Sequence, residues 1–190
     1  SCTTKETPSI SIKDQPLISY VNPFIGTGGH GHTYPGATAP FGMMQLSPDT
    51  RLDGWDGCSG YHYSDEYIYG FSHTHLSGTG VSDYGDILLM PTNEVNWNNG
   101  ADGKKGYRSH FSHDKEVAEP GYYKVHLDDT NIDVELTVAE RSGIHQYTFP
   151  KKEDQIVMLD LEHRDQVLEY NFEQHDKYTV SGYRHSKAWA

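Results

Sequence analysis

Four histidines in two His-x-His pairs are the residues of this 190-residue sequence best suited to chemistry. His73 and His75 lie in FSHTHLSGTGVSDYGD, from Phe71 to Asp86, among three glycines and beside Asp83 and Asp86. His30 and His32 lie upstream in GTGGHGHTYPGATAPFG, from Gly26 to Gly42, flanked by Gly26, Gly28, Gly29 and Gly31 and followed by Pro35 and Pro40. Neither stretch favours a helix, so both predict loops that present polar side chains. In extended backbone, residues two apart share a face, so each pair can direct two imidazoles at one ligand.

Imidazole binds zinc and similar ions, and two such pairs could supply four donors. Calcium wants oxygen ligands, so these histidines cannot explain a calcium site. Hydrogen bonding of the rings to ligand hydroxyls or to backbone carbonyls is the favoured role. Trp55 sits between Asp53-Gly54 and Asp56-Gly57. Its indole either offers a platform to a sugar or folds back over a sheet, and both readings stay open. Tyr61, His62 and Tyr63 alternate, which puts one face inside and leaves the other for a site.

Carboxyl pairs are plentiful: Asp53, Asp56, Asp65, Glu66, Asp83 and Asp86. A pair of carboxyls could serve as general acid and general base. Aspartates in Gly-rich turns commonly bind their own backbone instead, so no acid/base pair is assigned. Gly26, Gly28, Gly29 and Gly31 lack the GK[ST] ending and the strand-to-helix context of a phosphate loop. Trp97, among asparagines, is expected to anchor a loop, and Asp160, Arg164 and Asp165 to be surface charge.

With 27 acidic against 15 basic residues and a formal net charge of -12, the chain excludes a nucleic-acid partner, which needs clustered Lys and Arg. Fourteen tyrosines in a 12% aromatic composition suit sugars and other uncharged polar ligands. Cys2 and Cys58 could pair, or Cys58 could be a small buried residue. SCTTKETPS resembles the stretch after a lipoprotein signal peptide, which predicts lipid attachment through Cys2. No apolar run approaches the length of about 18 residues that a membrane-spanning helix needs.

The elements that must position these residues read as strands. Residues 1–15 predict a flexible tether, and a single β-rich domain follows over 16–190. MMQLSPDTR predicts a buried strand, and DILLMPT another, stopped by Pro91. Tyr123, Val125 and Leu127, then Ile132, Val134, Leu136 and Val138, each alternate onto one strand face. Asp128 to Asn131 and Ser142-Gly143 supply turns, and IHQYTF, QIVMLDLEH and YTVSGYRHS continue at sandwich spacing. VLEYNFEQ alone looks weakly helical. The expected fold is all-β, an antiparallel β-sandwich with long Gly/His-rich loops, incomplete at its C-terminal end.

NPFIGTGGHGHTYPGATAPFGMMQLSPDT, GYHYSDEYIYGFSHTHLSGTG, EPGYYKVHL, VELTVAERSGIHQYTFP and SGYRHSKAWA together resemble the amino-terminal part of the exo-acting α-mannosidases of glycoside hydrolase family 92, from Tyr20 to Ala190. The resemblance implies a β-sandwich packed on an (α/α)6 helical domain, and calcium-dependent hydrolysis of mannose-containing glycans with inversion. It places the acid, the base and most calcium ligands in the helical domain, so no catalytic or metal residue is carried over. It makes Trp55, His30, His32, His73, His75 and Asp83 candidates for substrate contact; Trp189, by its position in the sequence, is expected to pack against following polypeptide. Location in the bacterial periplasm or at the cell surface is expected. The alternatives are a free-standing carbohydrate-binding module and a His-rich transition-metal protein.

Overall fold

The computed structural model describes residues 15–188. Cys2, most of the expected tether and Trp189 lie outside them. A short 3-10 turn at Leu17–Tyr20 precedes strands β1 (Ala37–Thr38), β2 (Gln45–Asp49), β3 (Tyr67–Ile68), β4 (Gly70–Ser72), β5 (Leu88–Thr92) and β6 (Ser109–His110). A second 3-10 turn at His113–Lys115 leads to β7 (Glu116–Glu119), β8 (Tyr122–Leu127), β9 (Ile132–Val138), β10 (Gly143–Thr148), β11 (Ile156–Asp160), β12 (Gln166–Gln174) and β13 (Val180–Lys187). One sheet runs β1-β2-β4-β5-β11 and faces another, β10-β9-β8-β7; β3 pairs with β6, and β12 with β13. The pairings are antiparallel. This is the β-sandwich that the sequence predicts.

Alternation builds the core. Tyr123, Val125 and Leu127 of β8 and Ile132, Val134 and Leu136 of β9 are buried, and they meet Leu46, Phe71, Leu88 and Met90 from the first sheet. Full burial stabilises by about 1.5–3 kcal/mol per large aliphatic or aromatic side chain. Close approach at one edge depends on Gly143, where a Cβ would fall 2.7 Å from Leu46 Cδ1. Buried Glu116 takes hydroxyl bonds from Tyr123 at 2.6 Å and Tyr61 at 3.1 Å, and its Oε2 lies 2.6 Å from His113 Nδ1. That burial, with the adjacent carboxylate, pushes the Tyr61 and Tyr123 hydroxyls up, so they stay donors.

Three expectations are corrected. VLEYNFEQ is strand, not helix: β12 pairs with β13 over its length, with a bulge between Val167 and Glu169. Leu168, Tyr170 and Phe172 alternate with polar residues, a period of two that a strand displays on one face. Pro91 does not stop β5, because it pairs with Val157. The β4 neighbour pairs with β5 only at Phe71–Leu89, so the missing N–H at Pro91 interrupts no ladder there. Tyr61, His62 and Tyr63 are not in a strand; Tyr61 is buried, and Tyr63 turns outward to stack on His113 with centroids 3.9 Å apart.

Candidate functional site

The two Gly/His-rich loops and the DGWDG turn meet. The Gly78 N–H donates to the His32 carbonyl at 2.6 Å, joining the second loop to the first. His32 lies edge-on to Trp55 with ring centroids 4.4 Å apart at 87°. Gly80 closes over both: a Cβ there would stand 3.0 Å from His32 Cε1 and 3.1 Å from Trp55 Nε1, and its φ of +71° already favours glycine. His30 approaches the indole from another side at 5.7 Å, and its Nδ1 lies 2.8 Å from Asp56 Oδ1. Trp55 is 58% exposed, so its ring is not folded back into the core. His32 Nε2 is buried and has no hydrogen-bond partner among the described residues.

The second pair is divided. Strand β4 ends at Ser72, so His73 and His75 do not share a strand face. His75 is buried: its Nδ1 lies 2.8 Å from the Gln45 carbonyl, and its Nε2 lies 3.0 Å from Ser72 Oγ and 3.3 Å from Asp49 Oδ1. Its ring also meets Tyr34 of the first loop at 5.0 Å. Burial alone would push the Asp49 carboxyl up, but His75 and Arg164 outweigh it and the net shift is downward. His73 instead faces the second sheet, with Nδ1 2.5 Å from the Ile87 carbonyl and Nε2 3.3 Å from His145 Nε2. The hydroxyl of Tyr147 completes the row, 2.8 Å from His145 Nδ1. Burial, then the neighbouring ring, lowers His145 to about 4, and burial lowers His73 as well. Asp83 is buried, and its Oδ1 accepts the Tyr84 amide at 2.8 Å. Its charge helps raise the Asp165 carboxyl, which burial chiefly raises.

Trp55, His30 and His32 therefore form one surface cluster, whereas His75 braces the floor of the loops and His73 ties the sheets. The four imidazoles do not converge, and among the described residues no group of three or more His, Cys, Asp or Glu side chains is set to hold a metal ion. Calcium takes about six to eight oxygen ligands, so the described residues do not fit it. Sequence reasoning missed Asp56 as the partner of His30 and Gly80 as the lid over the indole. It also misplaced Arg164, which is not surface charge. That side chain is buried, and its guanidinium donates to the carbonyls of Arg51 at 2.6 Å and Cys58 at 3.3 Å, with Asp49 3.8 Å away.

Residues 20–190 match the model of the Glycosyl hydrolase family 92 N-terminal domain. A family GH92 alpha-mannosidase from Bacteroides thetaiotaomicron, BT3965, superposes with a TM-score of 0.85 at 42% identity, over 92% of this chain and 24% of that one. The same enzyme has been solved in complex with mannoimidazole. A family GH92 inverting mannosidase from the same organism, BT2199, has a TM-score of 0.65 at 31% identity, over 77% of this chain and 20% of that one. An uncharacterized secreted glycosidase of Arthroderma benhamiae is 32% identical over 137 residues, 70% of this chain and 17% of that protein. The chain thus spans a quarter or less of the length of these relatives.

Proposed function

Because this chain belongs to glycosyl hydrolase family 92 through its N-terminal domain, we propose that it is the amino-terminal β-sandwich of an inverting exo-α-mannosidase acting on mannose-containing glycans outside the cytoplasm. The observation that carries this reading is the exposed Trp55 ring backed by His32 under Gly80, where an aromatic face adjoins a buried, unpartnered imidazole nitrogen. Trp55 would stack on the C–H face of the terminal sugar. The exposed His30–Asp56 pair would bond its hydroxyls and fix its orientation, while His32 holds the indole from behind, which is the positioning part of catalysis. The acid and base carboxyls, the calcium ligands and the (α/α)6 helical domain that carries them are assigned to polypeptide outside these residues. Lipid attachment through Cys2 is part of the same proposal.

A half-pocket positions sugar but does not cleave it. The purified chain should release no mannose from an aryl α-mannoside, and release that survives stringent repurification would overturn the assignment. Mannose at high concentration should still shift the indole N–H resonance of Trp55.

A further inference from the structure

A different tryptophan is held out to solvent by a fastened loop. Trp97 is 86% exposed, so it does not anchor its loop by packing. Asparagine side chains fasten the backbone instead: the Asn98 N–H donates to Asn96 Oδ1 at 3.0 Å, the Gly100 N–H to Asn98 Oδ1 at 2.6 Å and the Ala101 N–H to Asn99 Oδ1 at 2.9 Å. The Tyr107 N–H returns to the Asn98 carbonyl at 2.8 Å. These bonds order the backbone that carries the exposed indole.

Trp97 lines a cleft of about 970 Å³ together with Tyr170 of β12, Asn99, Asp102, Asp160 and Glu162. Tyr170 is itself 59% exposed, so two aromatic faces are available. The carboxylates are positioned. Asp160 accepts the Glu162 N–H at 2.7 Å and the Tyr107 hydroxyl, and Asp102 accepts the Lys104 N–H at 3.0 Å. Donors from Lys104, first its backbone and then its side chain, and from Asn98 hold the Asp102 carboxyl at about 2, so it is an acceptor at neutral pH. No lysine or arginine is among the described residues that line the cleft. Aromatic faces suit C–H surfaces, and carboxylates and amides suit hydroxyl donors; the Lys104 ammonium, 3.1 Å from Asp102 Oδ2, offsets one of the three carboxylates, and Asp160 and Glu162 still disfavour anions.

We propose that this open cleft, whose volume lies within the range of small-molecule sites, binds a neutral oligosaccharide. The inference does not depend on the Trp55 pocket. It is tested with isotopically labelled chain, following the assigned indole N–H resonances of Trp55 and Trp97 during titration with linear α-mannotriose, cellotriose and trigalacturonate. At least one neutral trisaccharide should shift Trp97 saturably, and trigalacturonate should not. Tyr170→Ala, read at the Trp97 resonance, and Trp97→Ala, read by titration calorimetry, should each weaken that binding about tenfold or more with an unchanged melting temperature. Trp55→Ala should leave it intact. Absence of any Trp97 response to either neutral trisaccharide up to about 10 mM would overturn the proposal. So would an equal response to trigalacturonate, or unchanged affinity in both alanine variants. A response confined to Trp55 would overturn it while leaving the mannose-pocket reading standing.

Discussion

Replacing Asp49 by asparagine would strip a buried carboxylate from the Ser72 amide and hydroxyl, His75 and Arg164 at once. Breaking a buried charged network by removing one partner costs about 3–5 kcal/mol, and urea denaturation of Asp49→Asn should show a loss of that order. The pH sign follows from the lowered pKa of Asp49. Its contribution is present above the ordinary carboxylate value and is lost as pH falls through the lower folded value. Urea unfolding midpoints measured across pH should therefore separate wild type from Asp49→Asn above that range and converge below it. At Gly80 the expected effect is local. Gly80→Ala puts a methyl against His32 and Trp55 at a positive φ, so it should cost about 1 kcal/mol and move Trp55 fluorescence. Unchanged emission would show that the loop yields elsewhere.

Two connections decide how the elements stay together. Arg184 of β13 donates to Asp86 Oδ1 at 2.6 Å and to the Leu161 carbonyl at 2.7 Å, and also to the Arg164 carbonyl. It is the hairpin's fastening to the sandwich, because a planar fork serves acceptors from separate segments. Hydrogen exchange across β12 and β13 should accelerate in Arg184→Lys as well as in Arg184→Ala, while β8 and β9 keep their protection. The other connection is the row from Tyr147 through His145 and His73 to the Ile87 carbonyl, which joins β10 to the segment between β4 and β5. His145, lowered from 6.5 to about 4, favours the neutral ring in the folded chain. The unfolded chain takes up that proton first, so stability is intact above pH 6.5, falls between 6.5 and about 4, and levels below. His145→Gln should flatten the pH dependence of unfolding across that window. An unchanged slope would assign the acid sensitivity to other groups.

At the scale of the whole molecule, the described residues hold no assembled metal group, so chelation should leave the chain's melting temperature where it was. A drop on adding EDTA would place a structural cation within these residues. Leu168 and Phe172 leave apolar surface exposed on the hairpin, and Leu168→Ser with Phe172→Ser should lower concentration-dependent sedimentation with little change in melting temperature. The sequence alone determined the two-sheet architecture, because the alternation of Tyr123, Val125 and Leu127 and of Ile132, Val134 and Leu136 fixes which face is buried without reference to any partner. It also marked the loops, since Gly and Pro prescribe turns locally. It did not reveal β12, whose Glu, Leu and Gln residues suit a helix until β13 supplies a ladder. It could not tell that His32 joins Trp55 while His73 and His75 part. Those outcomes rest on contacts between residues tens of positions apart, such as Asp49 with Arg164 and His73 with His145. Local pattern sets an element's face and a turn's place. Only the packed chain sets which distant side chain a buried polar group must meet, because each such group takes the partner that the fold brings within reach.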